Sequence, residues 1–123
     1  MESKLLIVNS NEIESEYLRE LLTAEGYQIE VTIQLSDLQH LMATKNYFAV
    51  LLDVDSIPVE NKTIRDLVLA NPGIPFLCTS RDRFHPELKD AICYHIFACI
   101  NKPVDPDELL YWLRCIWDDQ EQT

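Results

Sequence analysis

Phe48-Ala49-Val50-Leu51-Leu52-Asp53-Val54-Asp55 is the stretch from which the fold can be read. Its first five residues are apolar without a break, so no polar position marks a wet face. Such a run reads as a strand buried on both sides, which belongs in the middle of a parallel sheet. It stops at a carboxylate, Asp53, and a second, Asp55, follows two residues later. In open α/β sheets, ligands and chemistry collect beyond the carboxyl ends of the strands. Asp53 is therefore the acid around which a function would be built.

Outward from that strand, the chain alternates between strand and helix patterns. Leu5–Val8 is a short buried strand cut off by Asn9-Ser10-Asn11. Ile13, Tyr17, Leu18, Leu21 and Leu22 follow at helical spacing, with Asn11 or Ser10 as the cap and Gly26 as the stop. Gln28–Ile33 alternates polar and apolar residues, as an edge strand does. Ser36 is expected to cap a helix whose inner face carries Leu38, Leu41 and Met42. Beyond Asp55, a helix is expected near Thr63–Ala70, then a strand at Pro75–Cys78, a helix near Pro86–Cys93 and a strand at Ile96–Ile100. The last helix has the clearest start in the chain, with Asp105 as cap, Pro106 in the first turn and Glu108 three residues after the cap. Five β-α units with short connections predict one α/β domain over residues 1–123, its core spanning about 4–118, with a parallel sheet covered by helices on both faces.

Composition narrows the function classes. Ten basic residues against 21 acidic ones give a net charge of −11, which disfavours nucleic acid and anionic membranes as partners. No run reaches the roughly 18 apolar residues of a membrane span, and Met1-Glu2-Ser3-Lys4 opens no signal peptide, so a cytoplasmic protein is expected. Cys78, Cys93, Cys99 and Cys115 lack C-x-x-C spacing and read as reduced, mostly core, residues rather than metal ligands. His40, His85 and His95 stand isolated and read as ordinary histidines.

The chemistry-bearing residues fall at strand ends: Asp53 closes the third strand, Ser80 follows the fourth, and Lys102-Pro103 follows the fifth. With Pro103–Leu110 leading into the last helix and Gly26 ending the first, this pattern resembles the receiver domain of two-component response regulators (the CheY-like family) from Leu5 to about Trp117. The resemblance implies a doubly wound, flavodoxin-like sheet of strand order 2-1-3-4-5. It also implies a signalling module rather than an enzyme, in which Asp53 accepts a phosphoryl group from a histidine kinase or phosphotransfer protein. Lys102 and the Ser80 hydroxyl would bind its oxygens, and the Ser80 contact would draw in the loop after the fourth strand. Ser80 is preferred because it lies five residues after Pro75, as the family's hydroxyl does; strand alternation is expected to turn Thr79 away.

Two departures separate the chain from the family pattern. The family carries two acids after its first strand to hold Mg²⁺, and the matching positions here are Asn9 and Ser10. A hard cation wants anionic oxygens, so at most a weak Mg²⁺ site at Asp53 and Asp55 is expected, with Glu12 a longer reach. Asp53 opposite Lys102 already makes a neutral pair. The family's switch aromatic on the fifth strand is replaced by Cys99, and Ser56–Lys62 lacks the usual glycines. The expected function is thus an atypical receiver acting through protein contacts, with magnesium-dependent phosphorylation weakened or absent; the alternative is a working phosphoacceptor at Asp53. On the last helix, Leu109, Leu113, Ile116 and Trp117 make the inner stripe with Leu110 and Trp112 on its flanks, and Tyr111 and Cys115 extend apolar surface beyond it; Tyr111, Trp112 and Cys115 are the exposed candidates. Together with Cys99 they mark a candidate interface on the face of the fourth helix, fifth strand and fifth helix, for a downstream protein or a second copy. Two rival chemistries fit poorly. A dehalogenase-type phosphatase would carry Asp-x-Asp on its first strand, followed by Gly-Thr, and an FMN-binding flavodoxin would have a Ser/Thr/Gly loop where Asn9–Glu12 stands.

Overall fold

The structure, a computed structural model, describes residues 4–81 and 95–121. Among these, five parallel strands form one sheet: β1 (Lys4–Val8), β2 (Gln28–Thr32), β3 (Ala49–Asp53), β4 (Phe76–Ser80) and β5 (Ala98–Asn101). Their order is β2-β1-β3-β4-β5, as the resemblance implied. The helices are α1 (Glu12–Ala24), α2 (Leu38–Thr44), α3 (Asn61–Ala70) and a C-terminal helix (Pro106–Glu121). The helix expected near Pro86–Cys93 lies outside the described residues, as do His85 and Cys93.

Strand pleating sorts the apolar residues into two cores. Leu6, Val8, Val50, Leu52, Phe76 and Cys78 point to one face, where Leu38 and Met42 of α2 and Ile64 and Leu67 of α3 meet them. Leu5, Ile7, Ala49, Leu51, Leu77 and Ile100 point to the other, against Leu18 and Leu22 of α1 and Leu109, Leu113 and Ile116 of the C-terminal helix. Neighbouring residues of one strand thus belong to opposite cores, which is why β3 reads as an unbroken apolar run. Each such leucine or isoleucine is worth about 1.5–3 kcal/mol on burial.

The helix ends follow local chemistry. Asn11 caps α1 by accepting the Glu14 N–H at 3.1 Å. At the other end Gly26 adopts φ 95°, a left-handed turn that lets its own N–H reach Thr23 O and the Tyr27 N–H reach Leu22 O. Asp105 Oδ1 accepts the Asp107 N–H at 2.9 Å and opens the C-terminal helix as expected. Ser36 does not cap α2. It sits inside a short 3₁₀ turn, Leu35–Asp37, that leads into the helix, and its hydroxyl donates to Gln34 Oε1 instead. Helix α3 starts at Asn61, two residues ahead of the expected Thr63, with Glu60 O accepting the Ile64 N–H.

Strand β4 runs two residues past its expected end. Thr79 O accepts the Val54 N–H and Ser80 O accepts the Lys102 N–H, so both hydroxyl residues stay in the ladder. The carboxyl ends of β1, β3, β4 and β5 consequently bring Asn9, Asp53, Thr79–Ser80 and Lys102 to one edge of the sheet.

Candidate functional site

Asp53 is almost wholly buried, at 1% exposure, in the last position of the central strand. A carboxylate there is tolerated only when every oxygen is matched. Its Oδ1 lies 2.6 Å from Lys102 Nζ and accepts the Thr79 hydroxyl at 2.9 Å, and its Oδ2 accepts the Ser56 N–H at 3.0 Å. Burial pushes the Asp53 carboxyl up, but the bonds from Lys102, Ser56 and Thr79 outweigh it and hold the group below the ordinary aspartate value.

The Thr79 contact corrects an expectation. Asp53 and Thr79 are register partners across the parallel β3–β4 ladder. Paired residues point to the same side of the pleat, so Thr79 turns toward the acid rather than away. Only the orientation of Thr79 differs from expectation; Ser80 keeps its place five residues after Pro75. Ser80 is buried as well, and its hydroxyl donates to Asp55 Oδ1 at 3.4 Å.

Lys102 is the hub of the cluster. Besides Asp53, its ammonium donates to Glu14 Oε1 at 2.8 Å and lies 3.2 Å from Asp55 Oδ2. Burial pulls the ammonium down, yet its bonds to Asp53, Glu14 and Asp55 raise it above the ordinary lysine value. The expected neutral Asp53–Lys102 pair is thus part of a larger group: three carboxylates face one ammonium, and these four side chains sum to two negative charges. Glu14, in the first turn of α1, was legible only as part of that helix's polar face; Glu12 opens the helix and is exposed. The signal for Glu14 is its spacing, since Asn11 as cap places residue 14 at the third helical position, over the strand ends.

The β1–α1 and β3–α3 loops are tied together by neutral groups. Asn9, 1% exposed, accepts the Asn11 N–H at 2.8 Å and the Ser56 hydroxyl at 3.1 Å through Oδ1. Its Nδ2 donates to Glu14 Oε1 at 3.2 Å. Ser10 donates its N–H to Ser56 Oγ at 3.0 Å and its hydroxyl to Ser56 O at 3.1 Å. Asp55 is braced by the Arg81 N–H at 2.9 Å. Beside the cluster runs a groove of about 620 Å³, lined by Ile13, Tyr17, Leu18, Pro103 and Val104, with Glu14, Thr79, Arg81 and Lys102 at its polar end. Ile13 is 84% exposed, so the inner stripe of α1 is Leu18 and Leu22 with Ser15; Ile13 and Tyr17 face the groove side instead of the core.

The whole architecture has close counterparts among solved structures. The signal receiver domain of an HD domain-containing protein from Pseudomonas fluorescens Pf-5 superposes with a TM-score of 0.87 at 20% identity, covering 100% of both chains. The chain has the fold of a CheY-like receiver domain. A response regulator receiver domain from Methylobacillus flagellatus matches at 25% identity and TM-score 0.81, over 94% of this chain and 99% of that one. The receiver domain of a sensor histidine kinase from Pseudomonas aeruginosa PAO1, with a magnesium ion coordinated in its active site cleft, matches at 17% identity and TM-score 0.78, over 93% and 96%. No family model matches the chain, and no curated protein matches its sequence.

Within this receiver fold the oxygens that would face a metal are committed elsewhere. Asn9 Oδ1 is held by Asn11 and Ser56, and the carboxylates of Asp53 and Asp55 turn to Lys102. Among the described residues, no group of three or more His, Cys, Asp or Glu side chains is arranged to hold a metal ion. No helix among them is long and apolar enough to cross a membrane.

The candidate interface residues divide. Tyr111 is 59% exposed and stands edge-on to Trp112 at 5.2 Å, while Trp112 makes a second edge contact with Phe97 at 6.0 Å. Cys115 is half-buried one turn beyond Tyr111. Cys99 is half-buried too, but it packs on the core that holds Cys78, whereas Trp112 packs on the other. The sheet stands between them.

Proposed function

We propose that this protein is an atypical response-regulator receiver that works in the cytoplasm through protein contacts, with magnesium-dependent phosphorylation of Asp53 weakened or absent. The observation that carries this reading is the threefold commitment of Lys102 to Asp53, Glu14 and Asp55. A phosphoryl donor is an anion, and catalysis of its transfer rests on positioning and charge compensation. Among the described residues, the lysine at this site, Lys102, already faces three carboxylates, and the remaining charge is negative. The Asn9 and Ser10 groups supply neither of the acids that would draw in a divalent cation, so the donor set fits Mg²⁺ poorly. Contacts with a kinase, a phosphotransfer protein, a downstream protein or a second copy have two apolar surfaces to use. One is the groove of Ile13, Tyr17, Pro103 and Val104; the other is the aromatic group Phe97, Tyr111 and Trp112.

The second reading is a working phosphoacceptor, favoured by the meeting of Asp53, Thr79 and Lys102 at the strand ends. Phosphoramidate separates the two. An Asp53 oxygen would attack phosphorus, the P–N bond would break, and ammonia would leave. Intact-mass analysis after incubation with and without Mg²⁺ is expected to give little or no phosphoryl adduct on the wild-type chain. A full adduct that requires Mg²⁺ and is lost in Asp53→Ala would replace the first reading by the second.

A further inference from the structure

We propose that Glu14 is a built-in competitor for Lys102, occupying the position on its ammonium that an incoming phosphoryl oxygen would take, and that Asn9 holds it there. This rests on the reading of Asp53 and Lys102 as the remains of a phosphoryl-binding pair. An ammonium has three N–H donors. Here, Asp53 at 2.6 Å, Glu14 at 2.8 Å and Asp55 at 3.2 Å account for three acceptors. Asp53 ends β3 and Asp55 lies in the turn two residues on, so the meeting of the β3 and β5 strand ends brings both close to Lys102. Glu14 comes from another element and reaches across 88 residues of sequence; its place in the first turn of α1 brings it over the strand ends, but the direction of its carboxylate is left to side-chain contacts.

What turns it inward is Asn9. Its Nδ2 donates to the same Glu14 oxygen that accepts from Lys102, so Oε1 is gripped from two sides. An aspartate at position 9 would face that oxygen with a second negative charge and push it out. Asn9 is therefore more than a lost acid: the amide and the Glu14 carboxylate form a matched pair. Its own orientation is fixed in turn, because Oδ1 accepts from the Asn11 N–H and the Ser56 hydroxyl. This assignment makes Asn9 a positioning residue and Glu14 the group that blocks.

The test compares phosphoramidate labelling of the wild-type chain, Glu14→Gln, Glu14→Ala and Asn9→Leu, each with and without Mg²⁺, with Asp53→Ala as the blank. Freeing an ammonium from one charge-assisted bond is expected to raise the labelling rate about tenfold in Glu14→Ala. Glu14→Gln should rise by less, since its amide oxygen still accepts, and Asn9→Leu should rise because Glu14 loses its second grip. Thermal unfolding of each variant separates these effects from loss of fold. Equal labelling of wild type and Glu14→Ala, including none in either, overturns the proposal. Failure of the wider reading has a different signature: strong Mg²⁺-dependent labelling of the wild type itself, whatever the ratio to Glu14→Ala.

Discussion

Asp53 shows how a buried charge is kept. Desolvation alone would drive its carboxyl toward the neutral form, but three donors reach its two oxygens and reverse the shift. Because its folded pKa is depressed, its contribution to stability is fully present above the ordinary carboxylate value, near 4. That contribution is lost as the pH falls through the lower folded value. Lys102, raised in the folded state, contributes below the ordinary lysine value, near 10.4, and loses its part only as pH rises beyond it. The acid limb is thus the accessible one. Urea unfolding of the wild type from pH 6 down to about pH 2.5 should show stability falling, since the unfolded chain binds the proton first. Asp53→Asn should give a shallower slope over the same range. A parallel pair of curves would mean that other carboxylates dominate the acid limb.

At the scale of elements, helix α1 presents both core and site, and its start sets the position of Glu14. Asn11→Ala removes the bond to the Glu14 N–H and should cost about 1 kcal/mol, a fall of roughly 3–5 °C in Tm. Asn11→Asp should recover most of it, because an aspartate caps equally well and suits the positive end of the helix. Caps, glycine stops and apolar runs are local chemistry, and so β3, α1 and the C-terminal helix could be read directly from the residues. Pairing across strands is not local. Thr79 and Ser80 are adjacent hydroxyls, and only the Asp53–Thr79 register decides which one meets Asp53. Glu14 was hidden for the same reason, since a glutamate among Glu12, Glu16 and Glu20 looks like solvated helix surface until β5 delivers Lys102 beneath it. Ser36 illustrates the converse: its type suited a cap, but the backbone entered α2 through a 3₁₀ turn that left its hydroxyl facing Gln34.

The molecule as a whole carries 21 acidic against 10 basic residues, and this excess acts on both folding and encounter. Like charges spread over a small sphere repel, and that repulsion is relieved when the chain expands. Dissolved salt screens charges beyond the Debye length, about 10 Å at 0.1 M, and leaves buried short pairs largely untouched. The attractive contacts at the site are of the second kind, since Lys102 and Asp53 are 11% and 1% exposed and 2.6 Å apart. The repulsion is of the first. Added salt should therefore weaken what opposes folding more than what supports it. Thermal unfolding at pH 7 is expected to shift upward as NaCl rises from about 10 to 200 mM, a range in which screening grows from long-range to local. A downward shift would instead mean that exposed pairs such as Lys62–Asp66 and Lys45–Glu30 outweigh the net charge. The same field bears on partners. A net charge of −11 disfavours the approach of small anions in general and favours that of a basic surface. An upward shift in Tm with salt would place this chain among those whose charge selects company at the expense of stability.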